Sequence, residues 1–142
     1  LQIIQIIHFM ELHGESKKIN SSDEKIFHLV SNCSNFGKYL PPDVTGFEST
    51  SEYCKFTMKN VADFKIEITE KQPYRLVSYK ADNDKKIPIS LSIFIENKET
   101  YSLLQIKLNA DIPFFLQGMV KTPLQKFIDI LEDKIKLEAE KE

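Results

Sequence analysis

DIPFFLQGMVKTPLQKFIDILEDKIK, residues 111–136, is where the hydrophobic period of the chain changes. Apolar side chains recur at Phe115, Met119, Val120, Leu124, Phe127, Ile128, Leu131 and Ile135. Spacings of three and four put them on one stripe of a long amphipathic helix, running from Ile112 or Pro113 to about Leu137. Asp111 reads as its N-cap, and Pro113 is tolerated in a first turn that needs no backbone N–H. Pro123 lies well inside and predicts a kink or a break, which Gly118 one turn earlier would ease. The tail KLEAEKE reads as a polar end that frays.

Upstream the period is two. In EYCKFTMK, Cys54, Phe56 and Met58 oppose Lys55, Thr57 and Lys59; in DFKIEITE, Phe64, Ile66 and Ile68 oppose Lys65, Glu67 and Thr69. Gln72-Pro73 breaks that run, and YRLVSYK follows with two faces that the sequence does not rank. DNDKK, residues 82–86, is a solvated loop. Alternation returns in IPISLSIFI (Ile87, Ile89, Leu91, Ile93, Ile95) and in YSLLQIKLNAD (Leu104, Ile106, Leu108). One oily and one wet face per strand means a meandering antiparallel sheet.

The chain opens with a strand-like run from Ile3 to Ile19, with Gly14 as a bulge or bend. Residues 1–9 read as a strand extension or a non-native leader; they lack the basic region and cleavage site of a signal peptide. Ser21 followed by Glu24 is a capping-box pattern for a short helix with Ile26, Phe27 and Val30 on one stripe. NFGKYLPPD adds a second short turn, stopped by Pro41 and Pro42. An oily sheet face must be covered, and the only long amphipathic element is the last helix. The fold class is therefore α+β, a curved antiparallel sheet of about six to seven strands wrapped on a C-terminal helix.

In this order the elements resemble the helix-grip fold of the START/SRPBCC superfamily, which includes lipid-transfer, pollen-allergen and polyketide-cyclase-like proteins. ESKKINSSDEKIFHLVSNCSNFGKYLPPDV resembles that family's strand, capped helix and second short helix. FKIEITEKQPYRLVSY resembles its central hairpin, where a strand ends in E-x-x-P-x-x-L, and residues 111–136 resemble its closing helix. The resemblance spans Met10 to Lys136 and makes residues 1–142 a single helix-grip domain. It implies a hollow between sheet and helix that holds a small hydrophobic or amphipathic ligand. The motifs are structural, so they imply no particular reaction.

Composition narrows the partners. The 142 residues are 42% hydrophobic and 28% charged, with 19 basic against 21 acidic side chains and a formal charge of -2. That supports a buried core and gives no electrostatic footprint for nucleic acid. No apolar run is long enough for stable membrane insertion. Two cysteines, Cys33 and Cys54, form no zinc-type spacing; reduced thiols point to the cytoplasm, with Cys54 facing the core and Cys33 near the surface. His8, His13 and His28 have no partners at ligand spacing, and Gly14, Gly37, Gly46 and Gly118 build no phosphate loop, so neither metal nor cofactor is expected.

The residues expected to line a cavity are Phe56, Met58, Phe64, Ile66, Ile89, Leu91, Leu104, Ile106, Phe115, Met119 and Phe127. They are equally what a packed core requires. No inward acid or base stands out among them, so no catalytic residue is assigned. Ser78, Ser90 or Tyr74 could orient a ligand; Gly118, Pro123 and the loops at 38–43 and 82–86 could gate it. Two alternatives remain open: a filled-core domain that binds a protein partner, and a cyclase- or dehydratase-like enzyme using Asp63, Tyr74 or Tyr79.

Overall fold

The computed structural model describes residues 9–142. The strands are β1 (Phe9–His13), β2 (Lys17–Ile19), β3 (Val44–Ser49), β4 (Tyr53–Met58), β5 (Ala62–Gln72), β6 (Leu76–Asn83), β7 (Ile89–Asn97) and β8 (Ser102–Asp111). The helices are α1 (Asp23–Val30) and α2 (Phe114–Ala139), with a 3₁₀ segment at Cys33–Lys38. All eight strands form one antiparallel sheet in the order β1-β8-β7-β6-β5-β4-β3, and β2 also pairs with β8. β3 to β8 are the expected meander.

Burial follows the alternation. Phe56, Phe64, Ile66, Leu91, Ile93, Leu104, Ile106 and Leu108 are all buried on the concave face. In β6 the structure ranks the faces: Val77, Tyr79 and Ala81 point inward and Ser78 outward. Register shifts between Thr45 and Glu48 and between Ile68 and Glu70 are bulges that curve the sheet. At the first of them Gly46 has φ of +69°, which a side chain would strain. β3 went unread in the sequence because its inward positions are only half buried, so its alternation is weak.

Several local expectations shift. The strand expected over Ile3–Ile19 is, within the described part, two strands parted at Gly14; residues 1–8 lie outside the described residues. The cap of α1 is Ser22, whose Oγ accepts the Lys25 N–H at 3.1 Å, one residue later than read. Asp111 ends β8, and α2 starts behind Pro113 with no side-chain cap. Cys33 is fully buried, because the 3₁₀ segment turns it and Phe36 under the helix layer.

α2 runs unbroken through Pro123, but that residue marks a boundary. From Leu124 onward the helix buries Phe127, Ile128, Leu131 and Ile135 against β1, β2, β8 and α1. Before it no residue of the helix is buried. Nor does its end fray. Ala139 is buried, and the Glu140 carboxylate accepts the Asn20 N–H and the Lys136 ammonium, each at 2.8 Å.

Candidate functional site

Two spaces lie between sheet and helix. The outer one is a cleft of about 880 Å³ under the first turns of α2. Its apolar wall is Met58, Val61, Ile87, Pro113, Leu116, Met119 and Val120; its rim carries Thr57, Asn60, Asp63, Asp84, Lys85, Lys86 and Asp111. The cleft exists because the helix overhangs the sheet before Pro123 and is backed by it only afterwards. The inner space is a void of about 20 Å³ among Phe56, Met58, Phe64, Ile66, Ala81, Ile89, Leu91, Leu108, Leu124 and Phe127. That is room for about one water molecule.

Most residues expected to line a cavity therefore converge, but around a nearly filled core. Phe56 stacks on Phe127 with ring centroids 6.0 Å apart and meets Phe64 at 5.7 Å. Met58 faces both spaces, and Met119 belongs to the outer cleft. Leu104 and Ile106 are fully buried in β8 and line neither. Phe115 is 80% exposed and lines neither, because at about 100° per residue the helix turns it away from the face that Leu116 and Val120 give to the cleft.

The rim is preformed by short hydrogen bonds. Asp63 accepts the Thr57 hydroxyl at 2.7 Å and gives its own N–H to Asp84 at 2.9 Å. Asn83 fixes the loop between β6 and β7: its Nδ2 donates to the Ile87 carbonyl at 2.8 Å, and its Oδ1 accepts the N–H groups of Lys85 and Ile87. Lys86 is thereby held at φ of +55° on the cleft's edge. The loop at 38–43 lies elsewhere and is tied to α2 by the Lys134 ammonium on the Leu40 carbonyl, 2.8 Å.

Of the candidate acid–base groups, only Asp63 reaches the cleft. Tyr79 is buried, donates its hydroxyl to the Val30 carbonyl, and has its phenol held well above the usual range by burial. Tyr74 packs edge-on against Phe27 on the helix side. Ser78 and Ser92 share a hydrogen bond on the outer face, 3.0 Å, and Ser90 is exposed. Burial pushes the Cys33 thiol up to about 11 and Cys54 to about 12, so both are poor nucleophiles. Among the described residues no three His, Cys, Asp or Glu side chains converge as a metal site.

Glu132 was not singled out by the sequence. It is buried in α2, and its Oε2 accepts the Ile106 N–H at 2.9 Å in the gap between β1 and β2. Burial pushes its carboxyl up to about 7, opposed by the Ile106 N–H and the charge of Lys17. A glutamate on the apolar stripe between Leu131 and Ile135 is the signal that could have found it.

The architecture has close counterparts among solved structures. A truncated norcoclaurine synthase from Thalictrum flavum superposes with a TM-score of 0.73 at 14% identity, covering 99% of this chain and 100% of its own. A START superfamily protein from Mycobacterium smegmatis gives 0.67 at 14% identity, covering 94% and 97%. The fold is the START/SRPBCC helix grip. Another structure of the Thalictrum flavum enzyme, in complex with dopamine and hydroxybenzaldehyde, matches this helix grip with a TM-score of 0.69 at 12% identity, covering 94% of this chain and 90% of that one. No family model and no curated protein matches the sequence. No described helix is long and apolar enough to cross a membrane.

Proposed function

We propose that this helix-grip domain binds a small amphipathic molecule in the outer cleft, with its apolar body against Leu116, Met119, Val120 and Val61 and its polar end at the rim. The observation that carries this reading is the cleft itself, about 880 Å³ with an apolar wall and a polar rim in which Thr57, Asp63 and Asp84 are tied by hydrogen bonds. Small-molecule sites are typically ~300–1,000 Å³ and built in that way. Burial of ligand surface at roughly 25 cal/mol per Å² would supply the affinity. Two buried free thiols suit a reducing compartment such as the cytoplasm.

Native mass spectrometry before and after organic extraction tests the reading, followed by thermal shift with fatty acids, sterols and flavonoids. A mass removed by extraction, or a shift that Met119→Asp abolishes, supports it. Absence of both transfers the weight to a filled-core interaction domain. The near-closure of the inner void favours that second reading. Of the three acid–base candidates of an enzymatic reading, Asp63 is the one at the cleft rim, beside Asp84 and Asp111.

A further inference from the structure

The cleft and the inner void have one lining residue in common among the described residues, and it is Met58. Two other walls contribute residues to both spaces. On α2 a single stripe passes from Leu116 and Val120 in the cleft to Leu124 and Phe127 in the void, roughly 16 Å along the axis. On the β7 side Ile87 belongs to the cleft and Ile89 to the void. On the β4 side the two spaces meet at Met58, the last residue of that strand.

We propose that Met58 is the gate between cleft and core, and that the apolar end of a long ligand enters the interior by displacing its side chain; this rests on the cleft being the binding site. A methionine suits the role. It is unbranched, has three rotatable bonds and can repack at small cost, whereas the aromatic and branched side chains around the void are stiff. The strand also ends there. Lys59, Asn60 and Val61 turn back to β5, closed by the Val61 N–H on the Met58 carbonyl at 3.0 Å, with Asn60 at φ of +65°. The cleft then takes short ligands with the gate shut, and longer ones gain affinity by taking the place of the displaced Met58 side chain beside the void.

Methyl NMR of the whole chain, titrated with 1-alkanols from butanol to decanol, reads both spaces separately. The Met119 methyl reports the cleft; the Ile89 and Leu91 methyls report the void. The expected result is a Met119 response to every alcohol and an Ile89 and Leu91 response only to the longer members. Affinity should rise about fourfold per added methylene. In Met58→Phe the interior methyls should fall silent, while Met119 still responds. Interior methyls silent in the wild type beside a responsive Met119, or responding unchanged in Met58→Phe, overturn the gate and leave the cleft reading standing. Silence at Met119 with every alcohol removes the cleft reading, and the gate with it. If Met58→Phe fails to fold, the wild-type titration still decides.

Discussion

The carboxylate of Glu132 completes the hydrogen bonding of Ile106. In β8, Lys107 pairs with His13 of β1 and Leu104 pairs with Lys17 of β2, so the edge is interrupted opposite Ile106. Glu132 reaches in from α2 and accepts that N–H at 2.9 Å, while the Ile106 carbonyl accepts from the Gly14 N–H at 3.0 Å. Among the described residues no cation pairs with it directly: the Lys17 ammonium is 2.6 Å from Asp133.

A pH dependence of stability follows. Burial raises the Glu132 carboxyl from the ordinary 4.5 to about 7 in the folded state. Between those values the unfolded chain gives up its proton and the folded chain keeps it. The unfolded state then binds fewer protons, and stability falls as pH rises through that window. Below 4.5 the penalty is absent, and above 7 it is constant, on the order of 3 kcal/mol. Glu132→Gln keeps the acceptor and removes the charge, so in urea it should match the wild type at pH 4.5 and exceed it at pH 8. Equal stability of the two proteins at pH 8 would contradict this account.

Gly14 is required by the same contact. A Cβ there would lie 2.3 Å from the Glu132 carboxyl, so Gly14→Ala should cost about 2–3 kcal/mol or displace the carboxylate. Most of that loss should vanish in the Gly14→Ala, Glu132→Ala double variant, measured as a double-mutant cycle. Gly118 is the counter-case. Nothing lies within 4 Å of a Cβ built there, and Gly118→Ala should raise the melting temperature through about 0.5–1 kcal/mol of helix propensity.

Two buried tyrosines should respond in opposite ways. Tyr79 donates to the Val30 carbonyl, so Tyr79→Phe leaves that acceptor unsatisfied and should cost about 1–2 kcal/mol. The Tyr39 hydroxyl is buried with no hydrogen-bond partner among the described residues, so Tyr39→Phe should be neutral or stabilising. Chemical denaturation of both variants checks the pair. A Tyr39→Phe loss as large as that of Tyr79→Phe would mean that the Tyr39 hydroxyl is satisfied in solution.

The cleft and core should separate by mutation. Met119 is 72% exposed, so Met119→Ala should change stability by under about 0.5 kcal/mol while weakening a cleft ligand several-fold. Phe64 is 6% exposed and meets Phe56, and Phe64→Ala should cost about 3–5 kcal/mol. Calorimetry of folding and of binding on the same samples distinguishes them.

What the sequence made legible was whatever repeats. Alternation in β4, β5, β7 and β8 and the three-four stripe of α2 each recur often enough to outweigh single residues, and together they led to the right architecture. The cleft was harder. At about 100° per residue, Phe115 and Met119 lie off the stripe that carries Leu116, Val120, Leu124 and Phe127, and periodicity cannot tell where the helix overhangs its sheet. Nor could it show that Phe56, Phe64 and Phe127 nearly fill the interior, since a hollow wall and a solid core ask for the same residues. The contact of Glu132 with Gly14 was illegible for another reason: it joins residues far apart in the chain, and only the tertiary fold brings them together.

The pairing of β1 with β8 has a consequence for the order of events in folding. Met10 lies opposite Ala110, about a hundred residues later, whereas among themselves β3 to β8 pair only as sequence neighbours. The meander can grow hairpin by hairpin, with small loops to close at each step. During synthesis β1 leaves the ribosome well before β8 and has no template until β8 follows, so the first of the described strands is among the last to be seated.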